Sequence, residues 1–146
     1  PDEHLVGYCL FSVATQYYAA RDYLKNTHPH LYQWITNTHS GDKPEWIKRT
    51  PFPDAKVGPC ISDLTLRHQA ANLGHGLIRG ACYIAHNFDN LVSLAGTKPE
   101  PFQQIWVLSH PDLAHIDRIQ VLKKYLTDAL KSKKARITGE GEAVNV

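Results

Sequence analysis

The chain has 146 residues, of which 42% are hydrophobic and 21% charged, with a net charge of +2. That is enough for one core and too little for two full domains, with the balance of an ordinary soluble globular protein. No apolar run approaches the roughly 20 residues that span a bilayer, and Pro1-Asp2-Glu3-His4 has neither the basic start nor the apolar stretch of a secretion signal. The sequence contains no methionine, an initiator included, which leads us to expect a piece of a longer chain. Cys9, Cys60 and Cys82 are odd in number, lie far apart and form no C-x-x-C pair. They read as buried apolar side chains in a reducing, cytoplasmic compartment.

In chain order, Leu10 to Tyr18 places Phe11, Val13, Thr15 and Tyr17 on one face at period two and predicts a strand. Ala19 to Asn26 supplies helix formers that stop at His28-Pro29. Leu31 to Thr36 is a short apolar strand, and Gly41-Asp42-Lys43-Pro44 a turn. Glu45 to Thr50 reads as a further strand. Lys56 to Ile61 reads as a strand shortened by Gly58-Pro59. Ser62 then stands as an N-cap, with Asp63 adding negative charge to the first turn. Leu66, Ala70 and Leu73 form a helical stripe, and Gly74 sits where a helix-ending glycine belongs. Ala81 to Ala85 predicts a short helix and Leu91 to Leu94 a short strand. Gln104 to Ser109 is a clear strand. Leu113, Ile116, Ile119, Leu122, Leu126 and Leu130, three or four apart, predict the last helix. The tail after Lys134 reads as frayed. Strands alternating with helices through short links argue an α/β layered fold.

Charge is uneven. Leu113 to Arg136 holds seven basic residues against two acidic ones, a net +5 within a chain of +2. No aromatic residue interleaves the terminal lysines, so the cluster reads as cations at a helix C-terminus rather than a nucleic-acid contact.

Nine histidines call for a metal check. His28-x-His30 and His110 with His115 are the candidates, but neither has a third ligand at a zinc-like spacing, so no metal site is assigned. Cys60 with His75 is a conceivable nucleophilic pair whose geometry nothing in the sequence fixes. Gly74-His75-Gly76 is too short for a dinucleotide fingerprint, and there is no phosphate loop. No catalytic residue and no cofactor are assigned. The junction at Ser62 is more informative: a hydroxyl beside the free N–H groups of a helix N-terminus can seat a carboxylate or another anion.

Several stretches together resemble one family. Leu5-Val6-Gly7, Tyr18-Ala19-Ala20-Arg21-Asp22-Tyr23-Leu24, Ile61-Ser62-Asp63, Gln69 to Ile78, Leu91-Val92-Ser93-Leu94 and Ile105 to Leu113 resemble, in order and spacing, the effector-binding domain of LysR-type bacterial transcription regulators. The likeness runs from about Leu5 to Leu130. Three positions depart from it: Gly80 where many relatives have proline, Ala20 where a capping Ser is common, and His75 where an apolar residue is usual.

The resemblance implies an α/β fold like type II periplasmic binding proteins. A three-layer α/β/α lobe would be joined by crossing strands to an incomplete first lobe, which keeps a C-terminal helix. Residues 1–18 would cross from the first lobe, 19–103 form the second lobe, 104–134 return with the C-terminal helix, and 135–146 form a flexible tail. A small effector, anionic if the helix N-terminus at Ser62 seats it, would bind between the lobes at Ile61, Ser62, His75, Gly76 and Gln104. DNA would be bound only by an N-terminal helix-turn-helix that lies outside these residues, and the intact protein would be a homo-oligomer with no membrane contact. The alternatives are a periplasmic-type solute-binding protein and, behind it, a small Cys/His hydrolase.

Overall fold

Neighbouring apolar residues on a strand point to opposite faces of a sheet, and in this chain that rule lays out the core. In the computed structural model, which describes residues 4–38 and 43–140, Tyr17 and Tyr18, Trp34 and Ile35, and Leu77 and Ile78 divide in this way. Tyr18, Ile35 and Ile78 join one buried cluster with Ala71, Cys82 and Leu91. Tyr17, Trp34 and Leu77 join another with Tyr32, Ile47 and Leu94. The sheet is thus covered on both faces, a three-layer arrangement, and its strands read as apolar runs rather than as alternation.

The longest strand is β1, Val6–Ala20. It pairs antiparallel with β6 (Glu100–Ser109) along its first part and with β4 (Ile78–Ala81) and β5 (Leu91–Ser93) along its second. A second sheet pairs β2 (Gln33–Thr36) in parallel with β3 (Lys56–Cys60). The bridge between Trp34 and Leu77 stitches the two together: Ile35 N donates to Leu77 O, and Leu77 N to Gln33 O, both at 2.8 Å. The parallel strands therefore run up to β1, the long antiparallel crossing strand.

Helix α2 (Leu64–Asn72) packs on the face of Ile35 and Ile78. Its N-cap is Asp63, whose carboxylate accepts from Leu66 N at 2.7 Å. This corrects the expectation that Ser62 caps it. Asp63 has the non-helical backbone of a cap, and its charge suits the positive end of the helix. The helix ends through Gly74, at φ +83°, a conformation that favours glycine.

Three further expectations change. Glu45–Arg49 is a 3-10 turn, not a strand. Proline at position 44 precedes it, Ile47 N and Thr50 N bond back three residues, and Lys48 pairs with Glu45. The last helix is broken: a 3-10 turn at Pro111–Leu113 precedes α4, Asp117–Ser132. Within α4 and its cap, Ile116, Ile119, Lys123, Thr127 and Leu130 are buried or half-buried, whereas Leu122 and Leu126 remain 52% and 43% exposed. Residues expected in a frayed tail instead form α5, Lys134–Thr138, which buries Ile137. Helices α1 (Arg21–Asn26) and α3 (Cys82–Ala85) match the expected positions closely. Gly41 and Asp42 of the expected turn, and residues 141–146 of the expected tail, lie outside the described residues.

Among the described residues no helix is long and apolar enough to cross a membrane.

Candidate functional site

The C-terminal ends of parallel strands leave backbone and side chains facing outward, and the crevice beyond them is where α/β sheets bind ligands. Here β2 ends at Thr36, and a cavity of about 350 Å³ opens there, within the range of small-molecule sites. Ile35, Thr36 and Asn37 form its floor, and Leu64 and Arg67 of α2 one wall. Val13 and Thr15 of β1 and Phe102 and Gln103 of β6 also line it. Arg79, Ala81, Tyr83 and Trp46 complete it.

A bulge makes the crossing-strand wall. Val13 pairs with Gln103 while Ala14 pairs with Pro101, so Phe102 is an extra residue on β6. A bulge presents consecutive side chains that a regular strand would send to opposite faces, and Phe102 and Gln103 both reach the cavity.

Two arginines give the site its charge. Arg67 is only 8% exposed, and its Nη1 donates to Ile61 O at 2.9 Å. Burial pushes its pKa down from the usual arginine value, against the pull of Asp63 and Cys60. Arg79 lies 4.0 Å from Glu100 across the strands and 5.3 Å from the ring centroid of Phe102. Trp46 is held by Tyr17, stacked at 5.9 Å, and by the edge contact of Trp34 at 5.1 Å. The hydroxyl of Thr15 is buried at the wall without a hydrogen-bond partner among the described residues.

None of the five residues expected at the site from the sequence lines this cavity. Ile61 and Ser62 follow β3 and lead into the wall formed by Leu64 and Arg67, and Ile61 O is the acceptor for Arg67. His75 and Gly76 lie at the other end of the parallel strands. His75 O accepts from Gln33 Nε2 at 3.0 Å, and a Cβ on Gly76 would come within 2.6 Å of Gln33 O. The turn there, with Gly76 at φ +151°, admits the chain close to β2 rather than to a ligand. Gln104 pairs with Ser12 and is exposed, whereas its neighbour Gln103 lines the cavity. The residues that sequence reasoning missed, Arg67, Arg79, Trp46 and Phe102, come from four separate elements and share no spacing.

Cys60 and His75 do not form a nucleophilic pair. Cys60 pairs with Thr36 at one end of β2, while His75 lies by Gln33 at the other. His28 and His30 do meet, Nδ1 to Nδ1 at 2.6 Å on the surface. Among the described residues no group of three or more His, Cys, Asp or Glu side chains can hold a metal ion.

A mixed sheet with helices on both faces, crossed by a long antiparallel pair and opening at the strand ends, is the architecture of a periplasmic-binding-protein-like lobe. Solved structures carry this further. The regulatory domain of CrgA, a LysR-type regulator from Neisseria meningitidis, superposes with a TM-score of 0.61 at 19% identity, over 88% of this chain and 70% of that one. Full-length LysG from Corynebacterium glutamicum, solved with its effector Arg bound, matches with a TM-score of 0.62 at 12% identity, over 90% of this chain and 47% of its own. The effector domain of AmpR from Pseudomonas aeruginosa matches at 0.60 and 8% identity, over 92% of this chain and 70% of that one. The chain therefore has the fold of the effector-binding domain of LysR-type transcription regulators, and spans about half the length of the full-length regulators it matches. No protein-family model and no curated protein matches the sequence.

Proposed function

We propose that this chain is the ligand-sensing part of a LysR-type bacterial transcription regulator and that a small effector occupies the cavity at the end of β2. The observation that carries this reading is the pair of arginines, one of them buried, in a largely apolar cavity between the crossing strands and α2. A charged group is buried in this way at a cost that a bound anion offsets, so the effector is an anion. Asp63 already fills the N-terminus of α2, which moves the anion from the Ser62 junction to the arginines. Ile61 and Ser62 are assigned to the rim, and His75, Gly76 and Gln104 are left out.

On this reading residues 1–18 cross from a first lobe, 19–103 form the second lobe and 104–134 return. Effector binding shifts lobe closure in a cytoplasmic homo-oligomer, whose DNA contacts belong to a helix-turn-helix outside this chain. On this reading the chain acts by binding, and no catalytic residue is assigned.

Thermal unfolding in the presence of a panel of small metabolites tests the site. A compound that binds the folded chain at a hundred times its Kd raises stability by about 2.7 kcal/mol. Val13→Phe, which fills the cavity from the β1 wall, should remove that shift while leaving the unliganded midpoint nearly in place. A shift that survives Val13→Phe sends the effector to another surface and ends this assignment.

A further inference from the structure

The chemistry of the cavity wall narrows the ligand beyond its charge, and this inference rests on the sensor reading above. Each arginine already has an acid nearby: Asp63 acts on Arg67, and Glu100 stands 4.0 Å from Arg79. Both acids are partly spent. The carboxylate of Asp63 is committed to Leu66 N, and the side chain of Glu100 is 58% exposed to screening solvent. With one acid beside each arginine, a ligand that brings one negative charge is favoured over one that brings two. A guanidinium has five N–H donors in a planar fork, and the hydrogen bond from Arg67 to Ile61 O leaves most of them for a ligand.

Two aromatic faces also line the cavity. Trp46 is fixed in orientation by Tyr17 and Trp34. Phe102 is brought to the cavity by the bulge and has Arg79 over its ring. Rigid aromatic faces favour a planar body by stacking, and an arginine over a ring places its donors beside that plane. We infer that the cavity takes an aromatic monocarboxylate, its carboxylate on Arg67 and Arg79 and its ring against Trp46 and Phe102. A dianion or a saturated acid of the same size is disfavoured, the first by charge and the second by shape.

Calorimetric titration of the whole chain with four probes tests this. Phenylacetate carries both features, phenylacetamide lacks the charge, cyclohexylacetate lacks the flat ring, and phenylmalonate has a second charge. The expected order places phenylacetate first, with phenylacetamide roughly tenfold to a hundredfold weaker, the effect of losing a charge-assisted hydrogen bond. In Arg79→Gln that gap should shrink without a change in the unfolding midpoint, and in Phe102→Leu the preference for phenylacetate over cyclohexylacetate should fall. Both side chains are partly exposed, so neither variant endangers the fold. Phenylacetamide or cyclohexylacetate binding as tightly as phenylacetate, or phenylmalonate binding more tightly, overturns the ligand class. If no acid binds but a neutral compound does, with loss in Val13→Phe, the sensor reading stands and this inference falls. If nothing in a broad panel binds, both fall.

Discussion

The sheet around Trp34 and the ribbon that carries α4 are drawn from similarly apolar sequence and treat it very differently. In the first, Trp34, Ile35, Ile47, Leu77, Ile78 and Leu94 are fully buried, packed on both faces of the strands. In the second, β1 before Ala14, β6 and α4 leave Val6, Tyr8, Trp106, Val121, Leu122, Tyr125 and Leu126 at 40–69% exposure. The contacts there are sparse and partly polar. Tyr8 Oη meets Thr127 Oγ1 at 2.6 Å, and Lys123 lies over the Tyr8 ring and donates to Ser109. One region is a finished three-layer core, and the other is a two-stranded ribbon under one helix, with an apolar outer surface. A periodic stripe says which face of a helix is apolar, and it does not say what covers that face.

Truncating one tryptophan in each region separates the two most sharply. Trp34 is fully buried, contacts Tyr17 and Trp46 edge-on, and donates from Nε1 to Phe52 O at 3.1 Å. Trp34→Ala leaves a cavity and an orphaned carbonyl and should cost about 3–5 kcal/mol. Trp106→Ala, at 40% exposure on the ribbon, should cost about 1 kcal/mol. Denaturant midpoints of the two variants check this. Equal losses would mean that the ribbon is packed as tightly as the sheet.

The outer surface of α4 offers the next largest effect. Leu122 and Leu126 sit four apart with Val121 and Tyr125 beside them, all exposed. Burying a Leu is worth roughly 1.5–3 kcal/mol, and an open apolar face of this kind invites association. The free edges of β1 and β6 add to it. We propose that the chain self-associates through this face, in keeping with the homo-oligomer expected from the sequence. Sedimentation of wild type and of the Leu122→Asp/Leu126→Asp double variant should show an oligomer for the first and a monomer for the second. A monomeric wild type that binds no apolar dye would remove the proposal.

The same contrast explains what the sequence made legible. Strand β1 was readable from its period of two, β6 as an apolar run and α4 from its stripe, and Gly74 because a helix end needs its left-handed backbone. Helix α2 was placed correctly, but its expected stripe was not the buried face, since Leu66 and Leu73 are 57% and 67% exposed while Arg67, His68 and Ala71 are buried. The two-sided core was not readable, since period two marks one face and says nothing of the second until the partner layers are known. Ile137 sits alone in a polar, basic run, so α5 had no stripe to announce it, and nothing in Glu45 to Thr50 beyond the preceding Pro44 marked a turn. The cavity was the least legible part. Arg67 and Arg79 belong to α2 and β4, and only the parallel pairing of β2 with the strand at Leu77 brings them to one opening. The role of Phe102 depends on a bulge with no sequence signature. Ile61 and Ser62 were found near the wall because a strand end followed by a helix is a local pattern.

The smallest effect concerns a titration inside the finished core. His68 on α2 is fully buried, and its Nδ1 lies 2.7 Å from Leu64 O, which fits a neutral ring donating from Nδ1. Burial holds its pKa below the ordinary histidine value of 6.5. Arg67 acts in the same direction, and backbone hydrogen bonding at Leu64 and Ala81 opposes the shift without cancelling it. The sign follows from which state binds protons. As pH falls below about 6.5 the unfolded chain protonates this ring while the folded chain resists, so the unfolded state binds more protons and stability declines. Above that value the contribution is complete, and toward lower pH it is lost until the folded ring titrates as well. Unfolding midpoints between pH 5 and 8 should therefore fall on the acidic side, and His68→Asn should flatten that fall. A slope that persists in His68→Asn would move the titration out of the packed sheet.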